Sequence, residues 1–421
     1  MKVGIIGLGK LGLPVAITMA YKGHDVMGYD ISPAIQEYVY KKELPYKEAG
    51  PDGTGNINDI FKTVNVKWGS LEEVVKHSEL IFVAVQTPHE LKYEGITRVP
   101  KQTKDFDYSW LISACKNLFD AIYKLKEKKS VVIISTVLPG TLRREVLPLR
   151  GTEICLAYSP QFIAMGTVMK DYLNPEFNLC GTIDDSASTL LQRFYSAIND
   201  APFLEMSLES AELSKVAYNV MIGQKITFAN QMMEICHKLH FANADDVMNC
   251  LKLSKDRLIS KRYLNPGMGD SGGCHPRDAI ALSWLSESLN LKYDMFGNLM
   301  ICRELQTEFL ADIIEEHHIK SELPIMIYGY TYKAETNLTT GSCATLLKNL
   351  LEERKLRVEM FDPHVSGFYL NWNKPMLFFI GMNHKDFVHE NFPKGSIIID
   401  PWGFMEDRDG ILVIRVGRNQ L

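Results

Sequence analysis

An apolar run, Val3–Ile6, leads directly into Gly7-Leu8-Gly9-Lys10-Leu11-Gly12, and this junction constrains the chain most. Three glycines at this spacing between a strand and a helix each have a physical task. The first permits a tight turn, the second lets a pyrophosphate approach the backbone, and the third lets helix and strand pack closely. The helix opened by Gly12 then presents unpaired N–H groups and the positive end of its dipole to the phosphates. A second strand-like run, Asp25–Tyr29, ends beside Asp30, 18 residues after Gly12. A carboxylate there accepts hydrogen bonds from both ribose hydroxyls and repels a 2′-phosphate, which selects NAD over NADP. No arginine follows in Asp30-Ile31-Ser32-Pro33, in agreement. The bland alternative is a glycine-rich turn with no ligand, and the placement of Asp30 counts against it. Gly7, Gly9, Leu11, Gly12 and Asp30 are thus the expected cofactor-facing residues.

The same rhythm continues. Ile81–Val85, Val131–Ser135 and Ile154–Ala157 read as strands buried on both faces, and Asn178–Gly181 adds a further strand. Apolar runs separated by amphipathic helices predict a parallel sheet covered on two sides. Thr87–Thr103 breaks the pattern as a polar, proline-containing loop. From Glu209 to Leu239 there is no proline, and Leu213, Val216, Ala217, Val220, Met221, Ile226 and Met232 recur at helical spacing. Helices are expected again at Asp278–Leu289 and Tyr293–His317. Strand–helix alternation then returns with Ile325–Tyr328, Arg357–Phe361, Met376–Ile380, Ser396–Ile399 and Ile411–Ile414. The expected plan is α/β, two doubly wound domains joined by a central helical domain. Its divisions are a cofactor domain over 1–200, a helical domain over 201–320 and a second, smaller α/β domain over 321–421.

Length and charge exclude several classes of function. At 421 residues the chain is too long for one ordinary domain. A net charge of −5 gives no reason to expect nucleic acid or an anionic membrane as partner. No apolar run is long enough to span a bilayer, and the glycine-interrupted N-terminus reads as structure rather than as a signal peptide. The eight cysteines form no CxxC pair and read as reduced thiols of a cytoplasmic protein. Cys236 and His240, four apart with Glu234 and His237 nearby, have the spacing of metal ligands on a helix. No further ligand converges in sequence, so no metal is expected.

Further segments fit one family. Phe82-Val83-Ala84-Val85-Gln86-Thr87-Pro88, Ser135-Thr136-Val137-Leu138-Pro139-Gly140-Thr141 and Ala211-Glu212-Leu213-Ser214-Lys215-Val216-Ala217-Tyr218-Asn219 follow in order. Gly272-Gly273-Cys274-His275-Pro276-Arg277-Asp278, Gly329-Tyr330-Thr331-Tyr332-Lys333 and Phe361-Asp362-Pro363-His364 complete the set. Over nearly its full length the chain resembles the UDP-glucose/GDP-mannose dehydrogenase family. The resemblance implies two Rossmann-like domains joined by a long helix, and a homodimer formed through the central helices. It implies NAD-dependent oxidation of the C6 alcohol of a nucleotide sugar, a UDP-sugar ahead of a GDP-sugar, to a uronic acid for polysaccharide biosynthesis, with two NAD per sugar.

It also implies roles. Cys274 is the nucleophile; a thiol adds to the intermediate aldehyde, and the resulting thioester is hydrolysed. The competing reading of Cys274 as one more buried cysteine conflicts with its glycine- and proline-containing loop. Lys215 and Asn219, four apart and so on one helix face, stabilise alkoxide and oxyanion. The ordinary alternative for Lys215 is a solvated helix lysine. Asp278 assists the lysine and a water, or alternatively caps the following helix. Thr87, Pro88 and Thr136 line the cofactor, Thr136 also shares the water, and Phe162, Gly272 and Lys333 join Lys215 and Asn219 around the substrate.

Two positions depart from the family. Gln161, in Ser159-Pro160-Gln161-Phe162, stands where the family has a glutamate; an amide positions a water but takes no proton from it. Thr340 stands where the family has an arginine that contacts the sugar nucleotide, which implies a different grip on the substrate. Three readings follow from Gln161: the base is Asp278 or His275, hydrolysis is slow, or the reaction stops at the aldehyde. A member that only binds its ligands, and a β-hydroxyacid dehydrogenase, are the alternatives; residues 323–421 count against the latter.

Overall fold

The computed structural model describes residues 1–238, 240–255, 265–269, 272–288 and 294–418. The chain packs as two compact units, Met1–Pro88 with Phe106–Ala217, and His89–Asp105 with Tyr218–Leu421.

The first unit is built on an eight-stranded sheet: β1 (Lys2–Ile6), β2 (Asp25–Tyr29), β3 (Val66–Trp68), β4 (Leu80–Val83), β5 (Lys129–Ile133), β6 (Ile154–Tyr158), β7 (Asn178–Thr182) and β8 (Phe203–Met206). The order across the sheet is β3-β2-β1-β4-β5-β6-β7-β8. Ile5 of β1 lies opposite Gly28 on one side and Phe82 on the other. β4, β5 and β6 are buried along their whole length, which is why they read as unbroken apolar runs. Ile5, Leu8, Val15, Phe82 and Phe194 meet in one core. The helix Gly12–Tyr21 is buried from Gly12 to Met19. Winding reverses between β1 and β4, so the loops leaving their carboxyl ends diverge and open a crevice there.

The second unit carries a five-stranded parallel sheet of β9 (Ile325–Tyr328), β10 (Val358–Phe361), β11 (Leu377–Ile380), β12 (Ile397–Asp400) and β13 (Leu412–Arg415), in the order β10-β9-β11-β12-β13. Phe309, Leu310 and Ile314 of the helix Met295–Ser321, with Leu347 and Leu351 of the helix Cys343–Glu353, cover one face. Phe387, Phe392 and Met405 cover the other. The long helix Leu208–Lys238 has 31 residues and a length of about 46 Å. No helix among the described residues is long and apolar enough to cross a membrane.

Several expectations need correction. β7 runs antiparallel to β6, so the first sheet is mixed. β3 and β8 were not foreseen: β3 has only three residues, and β8 is a half-exposed strand at the sheet edge, with no apolar run to betray it. Strand ends shift by one or two residues, as at β4 and β5. Thr87–Thr103 contains a short 3-10 turn, Leu91–Tyr93. The helix expected from Asp278 begins at Cys274, so Asp278 lies inside it, buried, and is not its N-cap. On the long helix, Leu213 and Met221 are exposed. The expected boundaries at Leu239, Leu289 and Tyr293 lie outside the described residues.

Candidate active site

In the first unit the crevice is lined by loops leaving β1, β4, β5 and β6. Gly7 has φ +90°, and a Cβ there would lie 2.8 Å from the Ala84 carbonyl oxygen. A Cβ on Gly12 would lie 1.9 Å from the Gly7 carbonyl oxygen. Both positions therefore exclude side chains on internal grounds. Gly9 differs, since a Cβ there meets nothing within 4 Å. The open side at Gly9 is room the protein itself does not use, and it fits the approach of a pyrophosphate. Asp30 accepts from the Leu8 N–H at 2.8 Å and from the Ser32 N–H at 2.8 Å, which fixes its carboxylate at the end of β2. Gly7, Gly9, Leu11, Gly12 and Asp30 thus share one loop cluster that fits a dinucleotide.

The loops after β4 and β5 brace each other. Ser135 Oγ donates to the Val85 carbonyl, and Thr87 Oγ1 donates to the Thr136 carbonyl, both at 2.6 Å. Glu212, on the long helix, is fully buried and accepts from the N–H groups of Gly140 at 2.6 Å and Leu142 at 2.8 Å. Burial pushes its carboxyl up to about 7, against the pull of those two donors. One turn further along the helix, Lys215 is buried rather than solvated, with Nζ 5.2 Å from the centre of the Phe162 ring. Gln161, beside Phe162, donates from Nε2 to the Ser159 carbonyl at 2.8 Å and to the Tyr195 hydroxyl at 3.0 Å.

In the second unit, Gly272 has φ +99° and a Cβ there would strike the Tyr332 ring at 2.4 Å. A Cβ on Gly341 would lie 2.0 Å from the Gly273 N. The loop leading to Cys274 is therefore backed closely by residues 332–341, the segment that carries Lys333 and Thr340. Cys274 follows as the first residue of the helix Cys274–Ser288 and is exposed. One turn on, Asp278 is buried and spends both oxygens, accepting from Asn219 Nδ2 at 2.5 Å and from Arg277 Nε at 3.1 Å. Lys333 is half-buried, and its carbonyl accepts from Thr336 Oγ1.

Residues 89–105 form a strap in this same unit. A Cβ on Gly95 would strike the ring of Pro276, two residues beyond Cys274, at 2.5 Å. Arg98 pairs with Glu308 at 2.5 Å and Glu353 at 3.1 Å. Val99 N–H donates to Glu304, and Asn349 Nδ2 donates to the Ile96 carbonyl at 2.6 Å. His89 is buried, and burial, with the nearby Arg277 charge, pushes its imidazole down to about 4.

Sequence reasoning did not single out Tyr195 or Arg98, because neither lies in a motif. Glu212 was visible only as one letter of the central-helix motif. Asp362, at the end of β10, occupies the place that Asp30 holds at the end of β2. It is spent internally, accepting from the N–H groups of Tyr330, Thr331 and His364. Cys236, Glu234, His237 and His240 do not form a metal-ligating group among the described residues; the group that does assemble is His364, His384 and Asp386. The two imidazoles stack 3.8 Å apart at 14°, so their in-plane lone pairs run parallel and do not converge on one ion. His384 Nδ1 is also taken up, accepting from the Glu335 N–H at 3.0 Å.

Comparison with known proteins agrees with this geometry. The NAD binding domain profile of the UDP-glucose/GDP-mannose dehydrogenase family matches residues 1–199, and the family's central domain profile matches residues 209–301. A GDP-mannose 6-dehydrogenase of Pseudomonas aeruginosa is 28% identical over 381 residues, covering 87% of this chain and 82% of its own. A UDP-glucose 6-dehydrogenase of Rickettsia conorii is 27% identical over 369 residues, covering 86% and 81%. The structure of a UDP-glucose dehydrogenase from Pyrobaculum islandicum superposes with a TM-score of 0.85 at 24% identity, covering 99% of this chain and 98% of its own.

Proposed function

The chain belongs to the UDP-glucose/GDP-mannose dehydrogenase family of NAD-dependent nucleotide-sugar dehydrogenases, and from that premise we propose that it oxidises the C6 alcohol of a nucleotide sugar to the uronic acid through Cys274. The observation that carries this reading is the nucleophile helix. Cys274 is exposed at its first residue, and one turn on Asp278 is buried and hydrogen-bonded to Asn219.

NAD, bound at Gly7, Gly9, Leu11, Gly12, Asp30, Thr87, Pro88 and Thr136, supplies the hydride acceptor, twice for each sugar. An aldehyde carbon cannot readily give up its hydrogen as hydride until a nucleophile adds and leaves it bearing a hydroxyl, whose oxygen forms the new carbonyl as the hydride departs and the hydroxyl proton is lost. Cys274 Sγ adds, and a thiohemiacetal forms whose oxidation gives a thioester. Lys215 holds positive charge for the alkoxide and the oxyanion, and its burial beside Phe162 keeps that charge strong. Asn219 donates to the same oxygen. Asp278 orders this group through its hydrogen bond with Asn219. Phe162, Gly272 and Lys333 contact the substrate, with residues 321–421 as the sugar-nucleotide domain.

The relatives divide between GDP-mannose and UDP-glucose, and a UDP-sugar is offered as the substrate, with GDP-mannose as its competitor. Exposed Met221, Phe228, Ile301 and Leu305 on the two long helices of the second unit support a homodimer through those helices. Eight free cysteines support a cytoplasmic setting. The test is NADH formed per sugar nucleotide consumed, with UDP-glucose, UDP-N-acetylglucosamine, UDP-galactose and GDP-mannose offered separately. Two NADH with one of them supports the proposal; one NADH, or none across the panel, refutes it.

A further inference from the structure

Residues 265–269 and 272–273, which lead to Cys274, belong to no helix or strand, yet one side chain holds them from both sides. Asn230, on the long helix, is buried. Its Oδ1 accepts from the Gly267 N–H at 3.0 Å, and its Nδ2 donates to the Gly269 carbonyl at 3.1 Å. Met268, between them, is buried in one core with Met233, Phe309 and Cys343. Both glycines are also pressed from outside. A Cβ on Gly267 would lie 2.4 Å from the Trp402 indole, and one on Gly269, where φ is +77°, would lie 2.0 Å from Cys343 Sγ. The indole is itself tied down, its Nε1 donating to the Ile380 carbonyl at 3.0 Å. A primary amide offers a donor and an acceptor in one plane. It can therefore supply both partners that a neighbouring strand would otherwise give to buried backbone. Cys274 follows five residues after Gly269, and all of these groups belong to the second unit.

We propose that Asn230 is a positioning residue for the second oxidation: by fixing residues 267–269 it sets where the loop delivers Cys274. This rests on the covalent reading of Cys274 given above. The first oxidation forms no bond to sulfur: the alcohol carbon gives its hydride to NAD and the hydroxyl gives up its proton. In the second, Cys274 Sγ bonds to the aldehyde carbon, and the thiol proton passes to the carbonyl oxygen. The hydride of that carbon then goes to a second NAD as the hydroxyl proton leaves, and a thioester results. Only this later sequence depends on where the sulfur stands. Loosening the clamp therefore slows the second oxidation and spares the first, whereas a side chain that only stabilised the fold would affect both alike.

The experiment compares the full chain with Asn230→Leu, which keeps the size of the side chain and removes both hydrogen bonds, with NAD and UDP-glucose or GDP-mannose as probes. Asn230→Ser, which shortens the reach but stays polar, covers the case that the leucine variant does not fold. NADH formed per sugar nucleotide consumed is read beside the masses of aldehyde and acid released, and thermal unfolding and NAD affinity are measured on the same preparations. The folded variant should consume sugar nucleotide within about two-fold of the wild-type rate and bind NAD equally well. Its second oxidation should be about ten-fold slower or more, the scale of effect that a displacement of under about 1 Å produces. NADH per sugar then falls from two toward one, and aldehyde appears. A folded variant that still yields two NADH and acid, or that slows both oxidations by the same factor, would overturn the assignment. Cys274→Ala separates the two levels. If it still forms acid, the covalent reading fails; if it forms none while the Asn230 variants keep two NADH per sugar, only the role of Asn230 fails.

Discussion

Gly9 and Gly12 are glycines for different reasons, and replacing each by alanine should separate them. A Cβ at position 12 would lie 1.9 Å from the Gly7 carbonyl oxygen. A relaxed carbon contact needs roughly 3.5 Å, so the turn must open by roughly 1.6 Å. Overpacking of that kind costs about 1–3 kcal/mol of stability. A displacement of about 1 Å at a positioned group is worth about 100-fold, or about 2.7 kcal/mol of NAD affinity. Gly12→Ala should therefore unfold at lower temperature and bind NAD at least that much more weakly. Gly9 has no positive φ, and its Cβ meets no protein atom within 4 Å. Alanine there restricts the unfolded chain and should add about 0.4–1 kcal/mol of stability. Its methyl group nevertheless fills the space a pyrophosphate needs, so NAD affinity should fall about ten-fold or more, about 1.4 kcal/mol. Thermal unfolding and titration calorimetry with NAD, run on both variants, read the two effects separately. Gly9→Ala binding NAD as tightly as the wild type would refute the reasoning, because the open side at Gly9 would then not be where the cofactor lies.

Other consequences are equally direct. Burial raises the Glu212 carboxyl to about 7, so between about pH 4.5 and pH 7 the folded chain binds a proton that the unfolded chain has lost, and this group's contribution to stability falls as pH rises through that window. Urea unfolding of the wild type and Glu212→Gln across those pH values should show a downward slope that the variant lacks; parallel curves would refute the shift. Arg98→Met removes half-exposed ion pairs worth less than about 1 kcal/mol each, so thermal stability should hardly change while protease cleavage within residues 89–105 speeds up several-fold; unchanged protection would mean that Arg98 does not pin the strap. Light scattering at micromolar concentration should give a dimer, and Met221→Glu with Phe228→Glu should give a monomer; a monomeric wild type, or a double variant that stays dimeric, refutes the interface.

The parts of the fold that could be read in advance are those where burial leaves a periodic mark. β1 and β9 lie where the apolar runs place them, because strands covered on both faces must be apolar; β2, half-buried at every second residue, also lies over the expected Asp25–Tyr29. β3 and β8 left no such mark, being short in one case and half-exposed in the other. The start of the helix that opens at Cys274 was hidden by Pro276, which reads as loop in sequence. Proline is tolerated in the first turn of a helix, where its missing N–H costs nothing, so the helix includes it and takes Asp278 inside. The glycine functions at 7 and 12 were legible because each satisfies a local geometric demand. The partners of Gln161 were not, since Tyr195 lies 34 residues further on and meets it only through the packing of its helix on the sheet. The burial of Lys215 was expected from its apolar flanks, yet Leu213 and Ala217 are exposed and only Val216 is buried with it, so its inward turn and its place over Phe162 are tertiary facts.

The central claim is that Cys274 carries the second oxidation covalently. The direct measurement is acid formation by Cys274→Ala, with product followed by mass spectrometry and NAD binding followed by calorimetry on the same preparation. The account predicts no uronic acid and NAD affinity equal to that of the wild type. Acid formed at the wild-type rate would contradict it.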